Sequence, residues 1–131
     1  MDVTGYDPFI SIQNAWGLSR HVHRATNLDV LLAESDYITV HVPLMDETRN
    51  MFNKDTFSKM KKGVRLMNFS RGELVNTADL LEAIKNGIVS KYVTDFPNEE
   101  LIGVENVIPI PHLGASTPES EENCAVMAVE Q

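Results

Sequence analysis

Two side chains in the 131-residue sequence lie where apolar runs give way to small or rigid residues, and their types suit carboxylate and proton chemistry. Arg71 stands two residues past the run Val64–Phe69, between Ser70 and Gly72. Its planar fork matches a carboxylate through two parallel hydrogen bonds, and a glycine beside it lets backbone approach a ligand closely. A salt bridge to a surface acid is the competing reading. His112 follows Pro111 and precedes Leu113-Gly114-Ala115-Ser116. An imidazole moves a proton near neutral pH, and a neighbouring carboxylate orients its ring. Glu99 and Glu100, in the loop Asn98-Glu99-Glu100, are the candidates for that carboxylate. A histidine with a purely structural role is the alternative. Ser70 has neither a Gly-x-Ser-x-Gly frame nor a nearby His–acid pair, so nucleophilic hydrolysis has little support. His21 and His23 alternate along one short run, where one face can simply be solvent. Without a His-Glu-x-x-His motif or a cysteine pair, no metal site is expected.

The elements that must position these groups alternate in type. Residues 2–7 read as a strand closed by Pro8, 11–18 as a short helix, and 21–25 as a brief strand. Leu28, Leu31 and Leu32 share a helical face, and 37–42 form a strand stopped by Pro43. A helix over about 53–60 with Phe57 and Met60 for burial precedes Gly63 and a strand at 64–69. Leu80, Leu81 and Ile84 repeat at helical spacing within 76–86, with Gly87 just past the end. Strands at 92–95 and 107–110 follow, and a last helix starts near Thr117-Pro118-Glu119. Strands separated by helices predict an α/β fold, a doubly wound parallel sheet with helices on both faces. In such sheets ligands collect at the carboxyl ends of the strands. Those ends carry Asp7, His41-Val42-Pro43, Asn68-Phe69-Ser70-Arg71-Gly72, Thr94-Asp95 and Pro111-His112. An acid in the position of Asp7 accepts hydrogen bonds from both ribose hydroxyls of NAD and repels the extra phosphate of NADP. An Asp-Pro turn explains Gly5-Tyr6-Asp7-Pro8 equally well.

Composition narrows the partners. A hydrophobic fraction of 43% with 23% charged residues is ordinary for a globular chain. The net charge of −8 argues against nucleic acid or an anionic membrane as partner. Lys59-Met60-Lys61-Lys62 reads as the solvated end of a helix. The single cysteine, Cys124, excludes an intrachain disulfide, and its apolar surroundings read as a buried small side chain. No run approaches the roughly 20 apolar residues of a membrane span. Residues 1–4 lack the basic start of a signal peptide, so a cytoplasmic location is expected.

With these residues laid out, the chain resembles the D-isomer-specific 2-hydroxyacid dehydrogenases, and within them the D-3-phosphoglycerate dehydrogenase branch. The resemblance rests on four blocks in order. They are Gly5-Tyr6-Asp7-Pro8; Asp36 to Leu44 with Glu47-Thr48-Arg49; Asn68 to Asn76; and Pro111 to Thr117. It implies an NAD-dependent conversion between a D-2-hydroxy acid and a 2-keto acid, with 3-phosphoglycerate (in serine biosynthesis) as the substrate suggested. Asp7 would hold the adenosine ribose, and His41, Val42 and Pro43 would line the adenine side of the cleft. Phe69, Ser70 and Arg71 would pass beneath the nicotinamide, and Asp95 would meet its end. Arg71 would bind the substrate carboxylate, His112 would exchange the proton, and Gly114 would allow close approach beside it. The family has an Asp-Val-Phe ahead of its catalytic acid, whereas this chain has Thr94-Asp95-Phe96-Pro97 and a loop that reads as one residue shorter. That puts the acid at Glu99, with Glu100 as the alternative. Asn76, where an aspartate is common, is expected to change only a helix cap.

The resemblance also implies what is not in the sequence. Residues 1–131 correspond to the C-terminal portion of an NAD-binding domain, without its first strand, its Gly-x-Gly-x-x-Gly phosphate loop or a substrate-binding domain. Gly5, Gly17 and Gly63 are not spaced to replace that loop. The sheet is therefore expected to be incomplete, and the isolated chain to bind NAD weakly and turn over nothing. The parent enzyme is expected to be a homo-oligomer. Relatives of the fold that act as non-catalytic NAD-sensing or co-repressor modules supply the second reading.

Overall fold

In the computed structural model, residues 1–129 are described; they form an α/β fold with two parallel sheets. The smaller sheet pairs β1 (Val3–Gly5) with β2 (Val22–Arg24), connected through α1 (Ile12–Trp16). The larger has the order β3-β4-β5-β6, from β3 (Tyr37–Val40), β4 (Val64–Asn68), β5 (Val89–Thr94) and β6 (Val107–Pro109). Its strands are all parallel, so each connection must cross over and return to the same starting edge. Helix α2 (Leu28–Glu34) precedes β3, α3 (Lys54–Ser58) links β3 to β4, and α4 (Thr77–Lys85) links β4 to β5. Helix α5 (Pro118–Val129) follows β6. No strand pairing joins β1–β2 to β3–β6 among the described residues.

Local chemistry fixes where the crossover helices begin. Asn53 caps α3 by accepting from the amides of Asp55 and Thr56, while Thr56 Oγ1 accepts from the Asn53 amide. Asn76 caps α4 through the Asp79 amide at 3.1 Å, so the cap expected of this position is made. Asp79 Oδ2 then accepts from the Lys54 amide at 2.9 Å, which clips the start of α4 to the start of α3. At the other end of α4, Gly87 adopts φ +71°, a conformation costly for any residue with a Cβ, and turns the chain into β5. Both the Gly87 and Ile88 carbonyls accept from the Gly63 amide.

The core sits against the four-stranded sheet. Val64 and Leu66 from β4, Val89 and Tyr92 from β5, and Ile38 and Val40 from β3 are buried with Phe57, Leu80 and Ala83 of the helices. Leu80 and Ala83 are three apart and therefore on one face of α4. A 3₁₀ turn at Gly72–Leu74 buries Leu74, and an isolated bridge pairs Phe52 with Val75.

Several boundaries and one burial differ from expectation. Strand β3 ends at Val40, so His41-Val42-Pro43 lie beyond the ladder, and α3 is shorter than 53–60. Strand β5 begins at Val89, three residues before the expected Tyr92; its pairing with β4 shifts register between Val64 and Arg65, so Val89 and Tyr92 are both buried although three apart. Cys124 is exposed, not buried: α5 has no buried residue, so its apolar side chains share the fate of its polar ones. The basic run is solvated, with Lys59 paired to Asp29 at 2.8 Å and Lys61 to Asp36 at 3.0 Å.

Candidate active site

The register of the large sheet aligns its carboxyl ends into a row. Val40 pairs with Asn68, Asn68 with Thr94, and Thr94 with Pro109. The next residues of each strand therefore leave along one edge, which brings His41, Phe69, Asp95 and Ile110 together although 69 positions separate the first from the last. Polar residues inside the sheet prepare this edge. Asn68 and Thr94 are the two buried polar residues of the described chain.

Asn68 staples the loop that carries Arg71. Its side-chain Oδ1 accepts from the Ser70 amide at 3.1 Å, and its Nδ2 donates to the Arg71 carbonyl at 2.8 Å. The same Nδ2 lies 3.4 Å from the Tyr92 hydroxyl. Burial pushes the Tyr92 hydroxyl above its ordinary titration range, against the lowering effect of its hydrogen bonds to Asn68 and Thr94. Ser70 Oγ donates to the Val40 carbonyl at 2.8 Å, tying the loop to the end of β3. The exposed Arg71 side chain makes one bond back to the Ser70 carbonyl, at 2.7 Å, and no ion pair with a carboxylate among the described residues. The competing salt-bridge reading of Arg71 thus finds no partner among them.

Phe96 stands between Arg71 and His112. The Arg71 guanidinium carbon lies 5.8 Å from the Phe96 ring centre, and the His112 ring lies 4.6 Å from it. The Phe96 amide donates to Thr94 Oγ1 at 3.0 Å, which holds the ring at the turn leaving β5. His112 Nδ1 is 2.7 Å from Asp95 Oδ2, with the imidazole 55% exposed and the aspartate side chain 11% exposed. The carboxylate at this histidine is therefore Asp95. Glu99 and Glu100 lie on the exposed loop beyond it and make no hydrogen bond to the ring. The expectation of a contact between Glu99 and the ring is not met in this structure. Its basis was a residue count along the loop, whereas the contact is fixed by strand register, with the Ile110 amide bound to the Thr94 carbonyl at 2.9 Å.

A cleft of about 460 Å³ opens between the β3 and β4 ends, lined by His41, Val42, Pro43, Leu44, Phe69, Ser70 and Arg71. Six of these seven were expected from sequence to contact a cofactor. Another cleft, of about 480 Å³, lies behind Phe96 and is lined by none of the expected residues. Asp7 lines neither cleft; its Oδ1 accepts from the Phe9 amide at 2.8 Å, the turn that was its alternative reading. Gly114 is exposed, its carbonyl accepting from Ser120 Oγ at 2.7 Å, and a Cβ there would meet nothing within 4 Å. His41 Nε2 is 2.9 Å from Thr39 Oγ1.

The arrangement fits part of a nicotinamide dinucleotide. Apolar Val42, Pro43 and Phe69 offer flat surface for a ring. Asp95 Oδ1 is buried with no hydrogen-bond partner, an acceptor suited to an amide N–H donor. The sequence contains no Gly-x-Gly-x-x-Gly to cradle a diphosphate. Asn68, Tyr92, Thr94 and Phe96 are the positioning groups that sequence reasoning did not assign. The signal for Asn68 was present: it continues the alternate buried positions of Val64 and Leu66.

The family model for the NAD-binding domain of D-isomer specific 2-hydroxyacid dehydrogenases matches residues 1–114. The D-3-phosphoglycerate dehydrogenase of Archaeoglobus fulgidus is 39% identical over 99% of this chain, and that of Bacillus subtilis is 38% identical over all of it. The chain spans about a quarter of the length of these relatives, 25% and 26% respectively. Among solved structures, the D-lactate dehydrogenase of Lactobacillus jensenii with NAD+ superposes with a TM-score of 0.81 at 28% identity, covering 98% of this chain and 43% of that one.

Proposed function

Because this chain belongs to the D-isomer-specific 2-hydroxyacid dehydrogenase family through its NAD-binding domain, we propose that its gene product interconverts a D-2-hydroxy acid and its 2-keto acid with NAD. Similarity to D-3-phosphoglycerate dehydrogenases over a quarter of their length favours 3-phosphoglycerate as that substrate. The observation that carries the reading is the grouping of Arg71, Phe96 and a carboxylate-held His112 beside a cleft at the sheet edge.

NAD, when bound, supplies the hydride chemistry. Val42, Pro43 and Phe69 would hold its rings, and Asp95 Oδ1 would accept from its amide end. Arg71 grips the substrate carboxylate through two parallel bonds and so sets which face of C2 is presented. His112 takes the proton of the C2 hydroxyl at Nε2 as the hydroxyl becomes a ketone, and returns it to the carbonyl oxygen in the reverse direction. The anionic partner at Nδ1 opposes the positive charge that the ring carries in between. Asn68 keeps the Arg71 backbone fixed while this happens.

The test is a steady-state assay of the complete gene product with NAD and paired D- and L-2-hydroxy acids, 3-phosphoglycerate among them. Turnover is expected with D-acids, and Arg71→Ala should lower kcat/KM about 100-fold or more, in line with the cost of a mispositioned substrate. NAD binding without turnover of any 2-hydroxy acid would instead favour a non-catalytic cofactor-sensing module.

A further inference from the structure

We infer that Asn86-Gly87 is a site of spontaneous covalent modification, deamidation through a cyclic imide, which the end of α4 holds closed in the folded chain and releases when that end opens. The site stands apart from the sheet edge that carries Arg71 and His112, so the inference does not depend on the dehydrogenase reading.

The chemistry starts from the sequence. Asn86 is the one asparagine followed by glycine. A glycine nitrogen has no Cβ beside it, so it reaches the preceding side chain with the least hindrance. Once that nitrogen has lost its proton to hydroxide, it attacks Cγ of Asn86. A bond forms between the Gly87 nitrogen and Cγ, the Cγ–Nδ2 bond breaks, and Nδ2 leaves as ammonia with a proton from water. Water then opens the imide. Cleavage at Cγ leaves aspartate, and cleavage at the backbone carbonyl carbon leaves isoaspartate, with the chain now running through the side chain. No oxidant or reductant is needed. Both residues are exposed, so water and hydroxide reach them.

Three features of the fold oppose ring closure. The Gly87 amide donates to the Ile84 carbonyl at 3.0 Å and the Ile88 amide to the Ala83 carbonyl at 2.9 Å, the paired bonds of a Schellman motif. The proton that must leave is held in the first of these. Asn86 has ψ 0°, which eclipses the Gly87 nitrogen with the Asn86 nitrogen and turns it away from the Cβ side, where Cγ lies. The Gly87 carbonyl accepts from the Gly63 amide at 3.0 Å and so fastens the turn to the residue before β4. Rotation about ψ of Asn86 therefore has to disrupt the end of the helix first. Neither product fits back as well. Aspartate places a negative charge at the negative end of the helix, and isoaspartate inserts a methylene into the backbone inside the motif. Modification at Asn86 is thus a one-way record that the end of α4 has been open.

The experiment is peptide mapping by mass spectrometry of the complete gene product, held at mildly alkaline pH either folded or in denaturant, with aspartate and isoaspartate products separated. In denaturant, Asn86 should deamidate faster than every other asparagine. In the folded protein its rate should be at least about tenfold lower, because closure waits on local opening. Lys85→Gly weakens the last turn of α4 at an exposed position and leaves the Asn-Gly pair intact. It should raise the folded-state rate about fivefold, the change in open population expected of glycine in a helix. Equal rates in folded and denatured protein would overturn the inference, as would a denatured chain in which Asn86 reacts no faster than the other asparagines. A folded-state rate unmoved by Lys85→Gly would also contradict it, since the end of α4 would then not be the gate.

Discussion

Strands β1–β2 and strands β3–β6 are both parallel, but they differ in what covers them. In the larger sheet, alternate residues of β3 and β4, with Val89, Tyr92 and Thr94 of β5, are buried against α3, α4 and the loops between. In the smaller one, every residue from 1 to 20 is exposed, including Phe9, Ile12, Trp16 and Leu18, and Ala25 just after β2 is the first buried side chain of the chain. Parallel sheets are ordinarily covered on both faces, because each crossover lays a helix on the sheet. The N-terminal ribbon has correct local signals without a core: Ser11 caps α1 at the Asn14 amide, and β1 pairs with β2 over three residues. Local chemistry is therefore enough to specify an element, but tertiary burial is needed to stabilise it. The candidate site draws its arginine, aspartate and histidine from the covered sheet and its connections, where strand register can fix their positions.

The sharpest way to break that contrast is to remove apolar atoms from each region. Leu66→Ala in the middle of β4 should cost about 2–5 kcal/mol, the range for deleting a fully buried leucine. Val3→Ala in β1 should stay within about 0.5 kcal/mol, as for exposed positions. Denaturant midpoints measure both, and equal losses would erase the distinction between the two sheets. A smaller effect is expected at Asn68, whose truncation to alanine leaves the Ser70 amide and the Arg71 carbonyl without their partner. Asn68→Ala should cost about 1–3 kcal/mol and raise hydrogen exchange at Ser70 more than at Val64. Uniform exchange along β4 would mean that the loop does not depend on the amide.

A further effect concerns alkaline pH. The folded-state titration of Tyr92 is raised above its ordinary 10.0 by burial, so folding favours the neutral hydroxyl. The stabilisation it contributes is fully present below pH 10.0 and is lost as pH rises from there through the raised folded value. Melting temperature should therefore fall across that window, and Tyr92→Phe should reduce the slope while lowering stability at neutral pH by about 1 kcal/mol. An unchanged slope would remove Tyr92 from the explanation.

What was legible in the sequence follows the same division. Helix α4 and strands β3 and β4 could be read from periodicity and from the caps at Asn76 and Gly87, because those signals are local. The gathering of His41, Arg71, Asp95 and His112 at one edge followed from the rule that parallel strands share an end. Two things were not legible. Burial of a helix depends on what packs against it, so the apolar run around Cys124 could not reveal that α5 stays exposed. The partner of His112 depends on the cross-strand alignment of Thr94 with Pro109, which no residue count along the 95–106 loop encodes. Asp7 illustrates the limit from the other side: its local turn with Phe9 forms whether or not a ribose is its ligand.

The most direct test of the account is the kinetics of His112→Ala in the complete gene product, read together with NAD binding. Retained NAD affinity with a fall in kcat of about 100-fold or more on the best D-2-hydroxy acid is the result expected of a proton-transfer residue held at the sheet edge. Turnover equal to that of the unaltered protein would contradict it.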